Sequence, residues 1–328
     1  MITEPTFLYN KTLIFFPMNG DKLTFSNDNL IIKDSEGKIK FQYTCYKIFL
    51  IYIVGGFTLT TGLIEKTKKY GISLVFLTTT FKIYCTINYN TEGNFLLREK
   101  QYKCLFGKEI ANRIVYNKVL NEIEILNKLR DKENNDGILI LKENLSKLDN
   151  YELNINEIMG IEGVSAKVYF NRLFKDIEWN GRQPRLKRDI INLLLDIGYT
   201  ILFNYIEALL NIYGFDIYKA NLHQEFYKRK SLVCDIIEPF RGIIDYKVLK
   251  MYNLKQIKEE DYMFLNNKYV LTYKKNDYIV YEFLSEINMY KSSIFKYIQN
   301  YYRWFMKKEL DITKMPIGEV IKNDTDQL

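Results

Sequence analysis

The hydrophobic pattern of this 328-residue chain changes period once, and that change limits the possible folds more than any other feature. Up to about residue 87 the apolar residues fall in short runs: "TLIFFP", "KLTFS", "NLIIKD", "KIKFQY" and "FLIYIV". Turn clusters such as "MNGD", "SND" and "DSEG" separate them. Short apolar or alternating runs bounded by turn residues are the signature of strands. One helix interrupts the series, "LIEKTKKYG" at 63–71, closed by Gly71. "ISLVFLTT" and "FKIYCTINY" then return to strand, and "NYNTEGN" (88–94) reads as a linker. Beyond it the spacing becomes helical. Residues 95–130 predict a helix, "DKENNDG" (131–137) a polar turn, and nearly everything to about residue 260 fits helix. A β-hairpin is expected over 269–283, turning around Lys274 to Asp277. A long amphipathic helix should follow to about Lys308, then a polar, loosely held tail from Asp311. The pattern therefore predicts an α+β chain: an N-terminal β-rich domain, residues 1–90, and a mostly α-helical domain, residues 91–328.

Composition narrows the function classes. Hydrophobic residues make up 47% and charged residues 27%, enough for a packed core and too apolar for wholesale disorder. The net charge of +7 permits a polyanionic partner without requiring one, because 40 acids nearly match 47 bases. Cys45, Cys85, Cys104 and Cys234 are scattered with no C-x-x-C pair, which argues against a thiolate zinc site and fits reduced thiols in the cytoplasm. The uncharged run Ile48 to Ile64 is short for a bilayer and is broken by three Gly and three Thr. It reads as a buried strand, a Gly-Gly turn and a helix start, in a protein with no membrane partner. Lys11 precedes an apolar stretch, but Pro17, Asn19 and Asp21 end it too early for a secretory signal.

Polar residues break the helical pattern at three places. In "INEIMGIEGVSAKVYFNRLF" (155–174), Ile155, Met159, Ala166, Tyr169 and Leu173 form a stripe whose remaining slot is Glu162. A carboxylate in a core slot must be paired, must sit at the stripe's edge, or must bind a metal. In "GRQPRLKRDIINLLLDIGYTILFNYIEALL" (181–210), Arg182, Arg185, Lys187 and Arg188 precede a helix that is apolar almost all round. Those cations suit a phosphate or a solvated face equally. Asp189 and Asn192, three apart, can cap or brace that helix. In "NLHQEFYKRKSLVCDIIEPFR" (221–241), the chain's one histidine, His223, precedes a helix. Val233, Ile236, Ile237, Phe240, Ile243 and Ile244 make one face of it, and Asp235, Glu238, Arg241 and Asp245 another. Pro239 lies inside and predicts a kink beside the two acids. Imidazole with carboxylates is an ordinary ligand set for a divalent metal, and carboxylates with water suit magnesium.

These three segments, in this order and spacing, resemble the CRISPR adaptation integrases of the Cas1 family. That family carries a Glu-Gly on a helix followed by Ala and Tyr, matched by "IEGVSAKVYF". It carries an Arg- and Pro-rich stretch leading into Asp-x-x-Asn, matched by "GRQPRLKRDIIN", and a Leu-His followed by Ser-Leu-x-x-Asp-Leu-x-Glu-x-Phe-Arg, matched by "LHQEFYKRKSLVCDIIEPFR". "VGGFTLTTGLIEKTKKYGISLVFLT" (54–78) and "LLREKQY" (96–102) extend the likeness over most of the chain. Ile236 stands where the family usually has Leu, the turn at Val54 to Gly56 is richer in glycine, and the segment after Arg182 is more basic. None of these departures touches the ligands.

The resemblance implies a β-rich N-terminal domain used for dimerisation and DNA contact, and a helical catalytic domain. It implies a Mg2+ or Mn2+ site made by Glu162, His223 and Glu238, with Asp235 as a neighbouring acid of weaker claim. Arg182, Arg185, Arg229, Lys230 and Arg241 become candidates to hold DNA phosphates. The implied activity is transesterification: the 3′-hydroxyl of a short double-stranded DNA fragment attacks a phosphodiester at a CRISPR repeat. The implied assembly is a homodimer able to build higher assemblies, with the small Cas2 protein as a candidate partner. Two other readings remain. One is a metal-dependent endonuclease cutting branched or plasmid DNA with the same residues, and the other a DNA-binding subunit with an inert site. The presence of all three ligand residues counts against the last.

Overall fold

The computed structural model describes residues 7–79, 81–88 and 94–320. Strands β1 (Lys11–Phe15), β5 (Ile48–Val54), β6 (Ser73–Leu77) and β7 (Ile83–Ile87) form one sheet in the order β1-β5-β6-β7. β1 and β6 run parallel to β5, and β7 is antiparallel to β6. A second, antiparallel sheet is built from β2 (Lys22–Ser26), β3 (Asn29–Lys33) and β4 (Ile39–Thr44). Helix α1 (Thr61–Tyr70) crosses over between β5 and β6. The Thr60 hydroxyl caps its start, and Gly71 at φ 70° ends it.

β5, "IFLIYIV", is buried along its whole length because both of its faces are covered. Ile48, Ile51 and Ile53 join Leu23, Leu30, Leu63 and Leu74 in the core between the sheets and α1. Phe49, Tyr52 and Val54 point the other way, into the core of the helical part. The Tyr52 hydroxyl donates to the Ile201 carbonyl there, at 2.7 Å.

The helical part comprises α2 (Phe95–Lys103), α3 (Gly107–Lys128), α4 (Asn135–Lys147), α5 (Ile155–Leu173), α6 (Ile190–Tyr213), α7 (Ser231–Ile237), α8 (Arg241–Asn253), α9 (Tyr273–Met289) and α10 (Lys291–Phe305). α6 would be long and apolar enough to cross a bilayer, yet it is the central helix of the core, with twenty of its residues buried. Asp189 caps its start, accepting from the Asn192 N–H at 2.7 Å, and Gly214 at φ 79° ends it. A long coil, 214–230, returns the chain to α7.

The structure departs from the sequence reading in several elements. The helix expected over 95–130 is broken at 104–106, between α2 and α3. Coil also replaces helix over 174–189 and 214–230. The hairpin lies earlier, as β8 (Tyr262–Leu265) and β9 (Lys268–Leu271), turned by Asn266 and Asn267, both at positive φ. That is the two-residue turn favoured for hairpins. Residues 273–283 are helix instead, because Ile279, Val280, Phe283 and Ile287 are buried at helical spacing. Asn276 fixes the first turn, donating to the Thr79 carbonyl at 2.9 Å. The single long helix expected after it is two helices meeting at Tyr290. Most of the expected linker at 88–94 lies outside the described residues, as does the tail beyond residue 320. The described part of the tail is not loose. The Gly318 carbonyl accepts from Asn117 at 2.9 Å and Asn121 at 2.7 Å, and Met315 and Val320 are buried.

Candidate metal centre

Glu162 lies on the core-facing side of α5. The buried residues of that helix are Ile158, Ser165, Tyr169 and Leu173, so Glu162 sits four after one core position and three before the next. Tyr169 and Leu173 are buried as expected, while further up the helix the stripe runs one residue earlier, with Ile158 and Ser165 buried and Met159 exposed. The carboxylate in the core slot survives that shift. It is satisfied by an ion pair with Lys118 of α3, whose ammonium also stands 2.9 Å from Glu238 Oε2.

Glu238 sits at the predicted kink. Pro239 has no N–H to offer the Asp235 carbonyl, so α7 gives way to one 3-10 turn, Glu238–Phe240, before α8 begins. Asn121 of α3 donates to the Pro239 carbonyl at 2.8 Å and ties this turn to α3. Gly242 lets the two helices close: a Cβ there would stand 2.2 Å from Ile125 Cδ1. Around the Glu238 carboxylate, Arg241 Nε donates at 2.9 Å and His223 Nε2 lies 3.8 Å away. Burial alone would raise this carboxyl. The charges of Arg241 and Lys118 overcome it and hold the group at about 2.

His223 is placed from behind by Asp235. One Asp235 oxygen accepts the main-chain N–H groups of Asn221 at 2.7 Å and Leu222 at 3.0 Å. The other accepts the His223 N–H and the ring Nδ1, each at 2.9 Å. A carboxylate on Nδ1 assigns the proton to that nitrogen and leaves the Nε2 lone pair facing Glu238. Asp235 is fully buried and saturated with donors, so it serves as the brace of the imidazole.

Glu162, His223 and Glu238 all line one cleft of about 1460 Å³. Among the described residues, no three His, Cys, Asp or Glu side chains already stand at metal-ligand separation. The Lys118 ammonium stands between the two glutamates, paired with both. A cation between two carboxylates, with an imidazole lone pair beside them, is the electrostatic pattern of a divalent metal site, and the donor set fits Mg2+ or Mn2+.

Beneath this point lies a charged layer the sequence reading did not assemble. Glu122, one turn after Lys118, is pushed to about 8 by burial; Lys118 opposes the shift, and Glu162, Asp245 and Glu238 add to it. Asp245 is raised by burial to about 6, although Tyr199, Arg241 and Lys118 pull it down. The Tyr199 hydroxyl donates to Asp245, and its ring carries Arg241 and Arg182, 4.6 and 5.3 Å from the centroid. The signal for Lys118 and Glu122 was present. Both fall on the buried stripe Ile114, Lys118, Glu122, Ile125 of "IVYNKVLNEIEIL", the same anomaly that Glu162 showed.

The five cations singled out for phosphate separate into distinct settings. Arg182, Arg185 and Arg241 line the cleft. Arg182 is held by Asn192 Oδ1 at 2.8 Å and Asp196 Oδ1 at 2.6 Å. Arg185 is exposed at the rim, its main-chain N–H fixed by Asp196 at 3.0 Å. Arg229 lies beside the Cys234 thiol. Lys230 reaches the opposite way and pairs with the buried Glu207, at 2.7 and 2.8 Å. Lys187, one of the four cations read ahead of α6, lines the cleft too, and so do Lys82, Lys167 and Lys268, which were not foreseen.

The family model described as "CRISPR associated protein Cas1" matches residues 15–284. A "CRISPR-associated endonuclease Cas1 1" from Thermodesulfovibrio yellowstonii is 29% identical over 226 residues, covering 65% of this chain and 71% of that protein. A solved "Casposase bound to integration product" superposes with a TM-score of 0.77 at 23% identity, covering 96% of each chain. A subunit of a "Cas6-RT-Cas1--Cas2 complex" gives the same TM-score at 20% identity, covering 96% of this chain and 36% of that one.

Proposed function

The chain belongs to the CRISPR-associated Cas1 family, and from that premise we propose that it is a spacer integrase whose active site is Glu162, His223 and Glu238. The observation that carries the assignment is a buried carboxylate, Glu238, and a partly buried one, Glu162, sharing one cation beside a braced imidazole. In this reading the three side chains hold one Mg2+ or Mn2+. Bound there, the metal would polarise the scissile phosphate and offset charge on the attacking and leaving oxygens.

The reaction joins the 3′-hydroxyl of a double-stranded DNA fragment to a phosphorus of the repeat. One P–O bond forms and one breaks, and the departing strand keeps its own 3′-hydroxyl. No covalent enzyme intermediate is required, because positioning and electrostatics supply most of the catalysis in phosphoryl transfer. The chain's own residues supply that positioning. Asp235 fixes the imidazole plane, and Arg241 keeps Glu238 ionised and oriented. Arg182 and Arg241 give the floor positive charge, and exposed Arg185 offers a phosphate contact at the rim.

We assign dimerisation and part of the DNA contact to the N-terminal domain, 1–90, and catalysis to 91–328. The casposase neighbour bound to an integration product supports DNA as substrate, and the Cas1–Cas2 neighbour supports a small Cas2 partner. Work on a resident repeat array locates the protein in the cytoplasm.

The test supplies a duplex oligonucleotide with free 3′ ends, a supercoiled repeat-bearing plasmid, and Mg2+ or Mn2+. Oligonucleotide joined to plasmid is expected, and it should vanish in Glu162→Ala, His223→Ala and Glu238→Ala. Nicked plasmid without joining would favour the endonuclease reading, with water in place of the 3′-hydroxyl. Full joining by all three variants would overturn the site.

A further inference from the structure

This inference rests on the assignment of Glu162, His223 and Glu238 as cation ligands and concerns a residue outside that set. We propose that Lys118 is a resident counter-cation, holding the two glutamates in the metal-free protein and swinging to Glu122 when a divalent cation enters.

The Lys118 ammonium touches both Glu162 and Glu238 and is only 10% exposed, so it stands where a divalent ion would have to sit. Two facing carboxylates with no counter-charge would repel one another and carry a large desolvation cost. The ammonium removes that cost in the empty protein and must leave before a divalent ion can use the same oxygens.

A destination exists on the same helix. Glu122 follows Lys118 by four residues, the spacing that brings two side chains of a helix together. It is 4% exposed, and its Oε2 has no hydrogen-bond partner among the described residues. A rotamer change can carry the ammonium one turn along α3 without moving the helix. The backbone is pinned on both sides of Lys118. Asn117 exchanges two hydrogen bonds with Gly318, at 2.9 and 2.7 Å, and Asn121 holds both Gly318 and Pro239. The side chain is the part free to move, so metal affinity is set by a competition internal to the protein.

The test reads Mn2+ binding to the DNA-free protein, from the electron paramagnetic resonance of the unbound aqua ion. Lys118→Met removes the competitor and should tighten Kd by about tenfold or more. Glu122→Gln removes the destination and should weaken Mn2+ binding in the parent while changing little in the Lys118→Met background. Lys118→Arg, whose fork grips two carboxylates more firmly, should weaken it as well. An unchanged or weaker Kd in Lys118→Met overturns the proposal. Equal effects of Glu122→Gln in both backgrounds overturn the swing to Glu122. Should Lys118→Met fail to fold without metal, Lys118→Arg and Glu122→Gln still decide, because unchanged affinity in both overturns it. Glu162→Gln and Glu238→Gln separate the two levels. Mn2+ binding retained in both defeats the site itself, whereas its loss there with an unchanged Lys118→Met defeats only the role of Lys118.

Discussion

Asp235 grips His223 twice through one oxygen, at the main-chain N–H and at ring Nδ1, each 2.9 Å away. The backbone contact fixes where the residue sits, and the ring contact fixes its tautomer. Asp235→Asn keeps the shape but can present an N–H to Nδ1, which moves the ring proton to Nε2 and turns the wrong atom toward Glu238. Partners of this kind are worth about 10- to 100-fold in metal affinity or activity. Asp235→Asn should therefore lose strand joining and Mn2+ affinity together by about that factor while staying folded. Integration assays beside circular dichroism check this, and near-parent joining would remove Asp235 from the mechanism.

Glu122 gives the metal-free protein a pH signature. Burial lifts its folded pKa from the ordinary 4.5 to about 8. Between those values the folded state keeps a proton that the unfolded state has lost. Stability is then complete below about 4.5, falls as pH rises, and levels off above about 8. The limiting slope for one such proton is about 1.4 kcal/mol per pH unit. Asp245, raised to about 6, adds the same sign at the acidic end of the window. Urea unfolding in EDTA at pH 5.5 and 7.5 should show a flatter profile for Glu122→Gln than for the parent. Parallel profiles would mean that Glu122 is ionised throughout.

The close approach of α8 to α3 leaves no room at Gly242, where a Cβ would stand 2.2 Å from Ile125 Cδ1. Gly242→Ala should cost roughly 1–3 kcal/mol, the usual penalty of overpacking. Ile125→Val removes the obstructing methyl and should recover part of it. The double variant, compared with each single one by chemical unfolding, measures that recovery. An additive result would locate the strain elsewhere.

The outline of the fold was legible because period two and period 3.6 are physical consequences of strand and helix geometry. β5 was found from an uninterrupted apolar run and α6 from apolar residues on almost every face; β5 is buried along its length, and α6 over all but four residues. The hairpin was misplaced because "KKND" has the composition of a turn, while the force that decided it, burial of Ile279, Val280 and Phe283, acts across the chain. Glu162 announced itself as a carboxylate in a core slot. Lys118 and Glu122 carried the same anomaly, but which charge answers which depends on how α3 crosses α5, a tertiary fact. Asp235 and Glu238 looked alike as two acids on one helix face. Only the returning coil 221–223 tells them apart, giving its N–H groups and imidazole Nδ1 to Asp235 and leaving Glu238 to the cleft.

Arg185 and Lys230 should part company as DNA contacts. Exposed Arg185 stands at the cleft rim, whereas Lys230 is bound at 2.7 and 2.8 Å to Glu207, which is itself 1% exposed. Removing a cation that meets a phosphate lowers the slope of log affinity against log salt by about 0.9. Arg185→Ala should show that loss with unchanged stability. Lys230→Ala should leave the slope unchanged and destabilise the fold by about 3 kcal/mol, because the Glu207 carboxylate is left buried and unpaired. Fluorescence anisotropy with duplex DNA across a salt series, run beside urea unfolding, separates the two. A reduced salt slope in Lys230→Ala with normal stability would return Lys230 to the DNA surface.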